Sequence, residues 1–452
     1  MSRPVTTTQV GTAVGALSGC ALTGAPPRRT TLARRGAEIG WIVTSHGARL
    51  AARSLRRALH AGTESQASVL GRSLTELLES LGATFVKVGQ VLSSRPDLLP
   101  DDIIVHLRRL QQDVSPFPAD QLAPALASAL GTAAWAPLDP ELIASASVAH
   151  VYRAQLHDGP PVALKVRRPG LEVKVAQDIV ILKAMARLAQ RLRPLRTVPV
   201  TGVAEEVAGA VRRQLDFTHE AANNRRFQAN FSGYPGVRGP RLGDELCTPS
   251  GLAMEFLPGL RRIDALAPGD EQAEEMALVG LRVLYKMIFL DGLVHVDMHP
   301  GNIFLGSDGA FVFLDLGLVA ELDADQRRQF AQFFVAIATN QGRTCARIVI
   351  DTATRLAPWF DHEDFSLAME GLIDRYSGLD AAAFEVVRFA KDLFDVQRRH
   401  GVTGSTDFTL VIVALTVFEG IVKKISPGLD FQAEARTFLL SEPTVLAETT
   451  AS

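Results

Sequence analysis

The sequence predicts an α+β fold of two lobes, preceded by a helical N-terminal extension. Three observations carry this prediction. Apolar residues recur at helical spacing in residues 36–135, two strand-like runs follow around residue 150, and helical spacing dominates again after residue 258. With 452 residues, 47% of them hydrophobic and 21% charged, the chain is long enough for two lobes with an ordinary core.

Changes of pattern divide the chain into four parts. Residues 1–35 show no periodicity and are rich in small and turn-forming residues, so we expect a disordered tail. Residues 36–135 form the helical extension, which includes a short helix over "ATFVKVGQVLSS". We place the N-terminal lobe at 136–257 and the mostly helical C-terminal lobe at 258–446. The run "LVIVALTVF" in that second lobe is too short to cross a membrane and is interpreted as a buried helix.

Positive charge is concentrated near the N-terminus, where residues 1–60 carry nine arginines and one acidic residue. The predicted helix Glu38–His60 places Trp41 and Ile42 beside the arginines of residues 49–57, which would let one face insert into a membrane while the other meets anionic lipid. A helix packed on the core with a solvated basic face is the alternative. The net charge of −2 indicates no nucleic-acid partner. Three widely spaced cysteines fit a reducing compartment, so we expect a cytoplasmic protein, peripheral to the inner face of a membrane.

A turn rich in alanine stands before the first clear strand. In "ASASVAHV", residues 144–151, alanine occupies every position where a G-x-G-x-x-G-x-V nucleotide-binding loop carries glycine. This spacing makes the turn a candidate nucleotide-binding loop. Its candidate contact residues are Ala144, Ala146, Ser147, Ala149 and Val151.

Lys165 in "VALK" lies on a predicted inner strand, where a buried lysine needs a negative partner. Glu220, in the helical segment "DFTHEAANN", is the candidate, because a lysine–glutamate pair can position phosphate oxygens. Glu255 lies on the strand "TPSGLAMEFLPG" that connects the two lobes. We include it among the candidate nucleotide-binding residues.

The segment "GLVHVDMHPGNIFLGSDGAFVFLDLG", residues 292–317, carries the strongest chemical signal. Phosphoryl transfer needs metal ligands that bridge the phosphates and a carboxylate near the attacking oxygen. Asn302 and Asp315 are hard oxygen ligands suited to Mg²⁺, and Asp297 would be the catalytic carboxylate. A β-hairpin between Asn302 and Asp315 would bring both to one site. We interpret the nearby His295 as bracing the loop through hydrogen bonds, with metal ligation as the alternative.

Taken together, these motifs resemble the UbiB family of atypical, protein-kinase-like proteins, which is associated with quinone biosynthesis and lipid homeostasis. The resemblance covers roughly residues 36–445. Its most specific part is "KVGQ", Lys87 to Gln90, since the family carries a K-x-G-Q signature before its kinase-like core. The other matching segments are the alanine-rich turn, "VALK", "HEAANN", "HVDMHPGN", "DLG", "SSRPDLLP" and "LQQDVSPFP".

The resemblance implies a bilobal protein-kinase-like fold that binds ATP or ADP with Mg²⁺. It implies a catalytic set of Asp297, Lys165, Glu220 and Lys87. In this family an alanine-rich loop replaces the glycine-rich one, and its methyl groups keep the backbone from closing over the phosphates as glycine does. The K-x-G-Q segment lies across the place where a peptide substrate would dock, with its lysine near the acids of an E-x-D motif.

The chain departs from the family pattern at two places. The E-x-D motif reads "QLD" here, so Gln214 replaces the glutamate and only Asp216 remains as a partner for Lys87, with Asp315 or the nucleotide as fallback. The turn has Ala149–His150 where relatives usually have Gly-Gln, which makes it stiffer. The residues after Asp315 give a separate indication. Only a short stretch separates Asp315 from the next predicted helix, which contains "ADQRRQF", and no A-P-E sequence follows. A peptide-docking activation segment therefore does not fit between them.

Three functions are compatible with the sequence. The first is an enzyme, an ATPase or a phosphotransferase acting on a small molecule or lipid in quinone or isoprenoid-lipid metabolism. The second is a nucleotide-gated scaffold for lipid-modifying proteins. The third is an aminoglycoside- or choline-type kinase, because such proteins share an H-x-D-x-H-x-G-N loop. The expected partners are a nucleotide, a lipid or quinone precursor, and an anionic membrane surface.

Overall fold

A computed structural model describes residues 29–441, apart from 61–64, 112–124, 127–139, 156–158, 192–199, 244–245, 267–270, 378 and 380–383. Most of the predicted tail, residues 1–28, therefore lies outside the described residues, as do residues 442–446 of the predicted second lobe. The described chain runs from helices through a sheet-containing lobe to a mostly helical lobe. This order confirms the α+β fold class.

The described part of the N-terminal extension includes the helices α1 Arg29–His60, α2 Gln66–Leu81, α3 Ala83–Ser93 and α4 Asp101–Leu107, and a 3-10 turn at Arg108–Gln111. Helix α2 begins where the side chain of Ser65 accepts a hydrogen bond from the Ser68 N–H. It ends at Gly82, whose φ of 95° is costly for any residue with a Cβ atom. Helix α3 therefore starts in a new direction, over the segment predicted to be a short helix.

Helix α1 begins at Arg29, so the prediction of disorder is wrong for residues 29–35. The reason is a buried ion pair, in which Arg35 Nε donates to Asp178 Oδ1 at 2.7 Å. Arg35 also donates to the carbonyl of Leu81, and Thr84 Oγ1 donates to Asp178 Oδ2 at 2.6 Å. These extra hydrogen bonds are what a buried pair needs to offset its desolvation. A partner 143 residues away leaves no periodic pattern in the sequence.

The N-terminal lobe is built on an antiparallel sheet in the order β1-β2-β3-β5. Lys165 lies on an inner strand, opposite Val151 on one side and Leu252 on the other. The elements of this stretch are β1 Glu141–Ser145, β2 Ala149–Gln155, β3 Pro161–Arg167, α5 Leu171–Ala189, α6 Val200–Leu215, α7 Phe217–Asn230, β4 Val237–Arg238 and β5 Gly251–Glu255. Of these, β4 pairs with a strand of the C-terminal lobe and not with the sheet of the N-terminal lobe. The helices α6 and α7 are separated at Asp216, which has extended backbone and caps α7 by accepting from the Thr218 N–H.

The C-terminal lobe is mostly helical. Its elements are β6 Arg261–Arg262, α8 Glu271–Tyr285, a π-helical turn Lys286–Asp291, β7 Leu293–His295, β8 Ile303–Leu305, β9 Phe311–Phe313, β10 Val319–Glu321, α9 Ala324–Ala338, α10 Gly342–Asp351, β11 Arg355–Leu356, α11 His362–Tyr376, α12 Val386–His400, β12 Val402–Thr403, α13 Thr406–Ile425 and α14 Phe431–Ser441. Strands β8 and β9 pair antiparallel, which confirms the predicted hairpin. This hairpin joins the two ends of the strongest chemical motif.

The largest hydrophobic cluster fills the C-terminal lobe. Helix α13 contributes many of its buried residues, and the run predicted to be a buried helix is part of this helix. None of the helices in the described part of the chain combines the length and apolar character needed to span a bilayer.

The extension is tied to both lobes by one buried arginine. Arg95 forms a two-pronged pair with Asp97, with nitrogen–oxygen distances of 2.8 and 2.7 Å. Its other terminal nitrogen donates to Glu206 on α6 at 2.8 Å and to Thr406 on α13 at 2.9 Å. Lys391 on α12 adds an ion pair with Asp101 at 3.2 Å. The segment after α3 therefore connects the extension, the N-terminal lobe and the C-terminal lobe.

Candidate nucleotide and metal site

Lys165 lies between two carboxylates. Its Nζ atom is 2.9 and 2.8 Å from the two oxygens of Glu220 and 3.0 Å from Asp315 Oδ1. The exposed side-chain fractions are 12% for Lys165, 6% for Glu220 and 49% for Asp315. Lys165 comes from the central strand β3, Glu220 from the first turn of α7 and Asp315 from the chain after β9. The ammonium and Glu220 are therefore enclosed, while Asp315 faces an open cleft.

The three groups share charge unequally. Burial favours the neutral form of Lys165, but the charges of Asp315 and Glu220 outweigh it and raise its pKa. Burial also opposes ionisation of Asp315, yet Lys165 and Lys87 lower the pKa of this carboxyl to about 2. Burial raises the pKa of Glu220 to about 7 against the pull of Lys165. Asp315 is thus ionised at neutral pH, and Glu220 is the carboxyl group of the three-residue cluster that titrates near neutrality.

Asp297 and Asn302 are held together. Asn302 Nδ2 donates to the Asp297 carboxylate at 2.8 Å and to its carbonyl at 3.1 Å. The Leu314 N–H donates to the Asn302 carbonyl at 2.9 Å, which brings Asn302 beside the residue that precedes Asp315. His295 contacts the Leu314 carbonyl at 3.1 Å, so its ring braces this part of the loop. The hairpin therefore returns the chain to the loop that carries Asp297 and Asn302.

The backbone at Asp315 is fitted to its side chain. Its φ is +51°, a conformation that aspartate tolerates better than most residues. The Gly317 N–H donates to Asp315 Oδ1 at 3.2 Å. A Cβ at Gly317 would lie 2.9 Å from that oxygen and 3.3 Å from Glu220 Oε2. The D-x-G spacing is explained by this close approach, which any larger residue would disturb.

The donor set suits a hard cation. The described residues contain no group of three or more histidine, cysteine and carboxylate side chains arranged around a metal. Mg²⁺ does not need one, because it keeps several waters and takes one or two protein oxygens together with phosphate oxygens. Asp315, half-exposed and ionised, and the amide of Asn302 fit that requirement. These are the two ligands that the sequence predicts.

The alanine-rich turn connects β1 and β2. Ala144, Ala146 and Ala149 all have negative φ, so a methyl group at these positions carries no backbone strain. Ala144 and Ala146 are exposed, whereas Ser147 and Ala149 are buried. Among the described residues, the N–H groups of Ser147 and its neighbour Val148 have no acceptor. Unpaired consecutive N–H groups in a turn can receive anion oxygens.

Lys87 projects from α3 toward the same cleft. Burial lowers its pKa, while Asp315 and Asp297 act in the opposite direction and Lys165 adds repulsion. No described carboxylate lies within ion-pair distance of its ammonium group. Asp216, the partner we predicted first, instead caps α7 and accepts from both the N–H and the hydroxyl of Thr218. That choice of partner is wrong, and the predicted fallback Asp315 is the charge that acts most strongly on the pKa of Lys87.

The rest of the K-x-G-Q segment faces the extension. A Cβ at Gly89 would overlap Leu110 Cδ1 and lie 2.8 Å from Leu78 Cδ1, so a larger residue there would force both leucines to move. Gln90 donates to the Leu110 carbonyl at 2.8 Å. Gly89 and Gln90 thus hold α3 against the other helices of the extension, while Lys87 of the same segment points to the cleft.

The side chain of Glu255 is paired with an arginine, and the nucleotide contact at this residue stays a prediction. Its oxygens accept hydrogen bonds from Arg241, through the backbone N–H at 3.3 Å and the guanidinium at 3.2 and 3.4 Å. Burial opposes ionisation, but Arg241 outweighs it and lowers the pKa of Glu255. A nucleotide contact at this position would therefore come from the backbone. The guanidinium of Arg168, which the sequence did not single out, lies 3.0 Å from the Ala146 carbonyl in the turn.

A lysine–glutamate pair on a β-sheet lobe, with an Asp–Asn pair and a D-x-G segment on a helical lobe, defines an atypical kinase-like protein. The family model described as the ABC1 atypical kinase-like domain matches residues 109–349. Among its relatives, "Probable protein kinase UbiB" of Azotobacter vinelandii is 32% identical over 80% of this chain and 69% of that protein. The protein of the same name from Marinobacter nauticus is 31% identical over 82% and 69%.

The chain belongs to the UbiB family of ABC1 atypical kinase-like proteins, which confirms the resemblance. A solved structure, the complex of Rv3197 with erythromycin from Mycobacterium tuberculosis, has a TM-score of 0.52 and 20% sequence identity, and the match covers 88% of this chain and 97% of that one. At this identity the likeness supports the fold alone. A kinase-like domain implies nucleotide binding in general.

Proposed function

We propose that this protein binds ATP or ADP with Mg²⁺ and acts as an ATPase or as a phosphotransferase toward a small molecule or lipid. One observation carries the proposal: Lys165 is held within 3.0 Å of both Glu220 and Asp315, and Asp315 remains half-exposed to the cleft. A buried ammonium fixed in this way is placed to receive phosphate oxygens, and the open carboxylate beside it is placed to receive a cation.

Each residue has a defined part in this proposal. Lys165, oriented by Glu220, would bind phosphate oxygens, and the unpaired N–H groups of the alanine-rich turn would bind others. Asn302 and Asp315 would hold Mg²⁺, which supplies charge neutralisation at the phosphates when bound. Asp297, held by the Asn302 amide, would accept the proton of the attacking water or hydroxyl group.

The position of Lys87 favours an acceptor other than a peptide. Helix α3 brings this lysine close enough to Asp297 and Asp315 for their charges to act on it. A peptide segment would have to displace the helix, whereas water or a small hydroxyl compound need not. The family resemblance suggests a quinone precursor or an isoprenoid lipid as the acceptor. The same segment argues against an aminoglycoside- or choline-type kinase.

The test of the nucleotide site is Asp315→Asn, which removes the ionised ligand and keeps its shape. We expect thermal stabilisation by Mg-ATP or Mg-ADP to be lost, because charge neutralisation at the phosphates depends on the bound cation. Asp308→Asn, in the exposed turn of the hairpin, is the matched control and should retain the full shift. An equal shift in the parent and in Asp315→Asn refutes the assignment of Asp315. Binding without phosphate release or transfer would favour the nucleotide-gated scaffold.

A membrane surface is a second proposal, which the exposed face of α1 supports. The Trp41 side chain is 76% exposed, and Leu55 is 61% exposed four helical turns further on. Ile42 does not share this face, since it packs against the cluster that contains Ile39. Arg53 is also engaged, with Ser73 and Glu76. The proposed surface therefore consists of Trp41 and Leu55 with the exposed Arg49 between them along the helix, and it would make the protein peripheral to an anionic bilayer.

A further inference from the structure

The alanine-rich turn is fastened to the chain that leaves the central strand. Arg168 follows β3, and its Nε atom donates to the Ala146 carbonyl at 3.0 Å. The backbone N–H of Arg168 donates to the Val148 carbonyl at 2.9 Å. Within the turn, the Ala146 N–H donates to the Ala149 carbonyl at 2.9 Å. Two carbonyls of the turn are therefore held by one residue outside it.

The tip of the turn is also buried among helices. The side chain of Val148 belongs to a hydrophobic cluster with Val88 of α3, Val175 of α5 and Val207 of α6. Val88 is the residue that follows Lys87. Lifting the turn would expose Val148 and break the packing of this cluster, so the turn and the helix that carries Lys87 share one set of contacts.

The underside of the turn is filled by an uncharged ring. His150 is completely buried, between the Ser145 hydroxyl at 3.2 Å and the Tyr152 hydroxyl at 3.1 Å. Burial, together with the nearby charge of Arg168, lowers the pKa of His150 to about 4. The ring is neutral at physiological pH and does not repel the guanidinium. The turn thus packs on the neutral His150 ring, and Arg168 holds two of its carbonyl groups.

We propose that Arg168 is a positioning residue that fixes the alanine-rich turn against α3, so that the turn and Lys87 move as one unit when a nucleotide enters or leaves. This inference rests on the proposed nucleotide site. A hydrogen bond from a charged guanidinium is stronger than one between neutral groups, and alanines have fewer backbone alternatives than glycines. The nucleotide would then exchange only when Arg168 releases the Ala146 carbonyl.

The first experiment needs no nucleotide. Arg168→Gln should speed amide hydrogen exchange at residues 145–149 and also at residues 86–90 of α3, while the amides of β5 stay as in the parent. Arg187→Gln, an exposed arginine on α5, is the control and should change neither segment. Unchanged exchange in the turn, or faster exchange in the turn alone, overturns the proposal. Val148→Ala loosens the same unit from its buried side and gives the same readout if Arg168→Gln does not fold.

The second experiment measures exchange of a fluorescent ATP analogue with Mg²⁺ by stopped flow. Losing a charge-assisted hydrogen bond should raise both the association and the dissociation rates about tenfold, so that Kd changes much less than either rate. Arg168→Lys should restore part of the slow exchange. A faster dissociation with an equal loss of affinity means that Arg168 only contributes to binding, which overturns the positioning role. If the parent binds no nucleotide, the proposed function fails, and hydrogen exchange still decides whether Arg168 couples the turn to α3.

Discussion

At the scale of single residues, the carboxylates of Glu220 and Asp315 both contact the ammonium group of Lys165, and the charge state of the site depends on how this one positive charge stabilises each of them. Asp315 is half-exposed and keeps its charge, whereas Glu220 is enclosed and bears most of the cost of ionisation. The same Lys165 therefore lowers the pKa of one acid and does not fully compensate the burial of the other. A charge that arrives with a nucleotide would change this balance, since phosphates would take over part of the interaction with Lys165.

The pKa of Glu220 predicts a pH dependence of stability with a definite sign. Its value in the folded protein is about 7, against an ordinary 4.5, so the folded state binds more protons between these pH values. The free energy of unfolding of the parent should therefore fall, relative to Glu220→Gln, as pH rises from 4.5 to 7. Denaturant unfolding of both proteins across this range measures the difference, and the titrations that they share cancel. A parent that gains stability over the variant as pH rises would mean that Lys165 keeps Glu220 ionised.

Sequence could locate those candidate site residues that stand in short local patterns. Asp297, Asn302 and Asp315 stand in one continuous segment, and Lys165 lies in a strand with a clear pattern. Arg168 could not be found in this way, because its role comes from a contact with Ala146, 22 residues earlier, across a turn. The choice of Asp216 as the partner of Lys87 failed for a different reason: Asp216 lies at a helix start, where capping the backbone uses its carboxylate.

At the scale of elements, helix α3 has two faces with different contacts. Lys87 lies on the face toward the cleft, and Gly89 lies on the face that packs against Leu110 and Leu78. We predict that Gly89→Ala displaces it, because the added Cβ would lie within 3 Å of both Leu110 and Leu78. Such overpacking should destabilise the protein by about 1–3 kcal/mol in denaturant unfolding. Gly47→Ala, in α1 with open space around the new Cβ, is the control and should be neutral or stabilising by up to about 1 kcal/mol. Equal effects of the two substitutions would mean that Gly89 does not set the packing of α3.

Helix α1 offers a second test at this scale. If its outer face meets a bilayer, Trp41→Ser should reduce co-flotation with anionic vesicles, and added salt should reduce it in the parent. Trp359→Ser is a matched control, because this tryptophan is 54% exposed but lies in the other lobe, before α11. An equal loss in both variants, or no salt-sensitive flotation of the parent, would show that the basic face of α1 is simply solvated.

At the scale of the whole molecule, the extension and the two lobes meet at Arg95, and this contact predicts how strongly they depend on one another. Asp97, its two-pronged partner, has a fully buried side chain, so Arg95→Met would leave an uncompensated charge inside the protein. Breaking a buried pair from one side costs about 3–5 kcal/mol, whereas removing both charges costs much less. We therefore expect Arg95→Met to lower the free energy of unfolding by that amount.

The double variant Arg95→Met with Asp97→Asn should recover much of the lost stability if the loss comes from an unpaired buried charge, and little of it if the loss comes from packing. The double variant still lacks the hydrogen bonds to Glu206 and Thr406, since both accepted them from the same nitrogen of Arg95. Hydrogen exchange of the double variant should therefore remain faster in α3 than in the parent, while the core of the C-terminal lobe stays protected. A double variant with parent-like protection of α3 would show that the lobes hold the extension in place without Arg95.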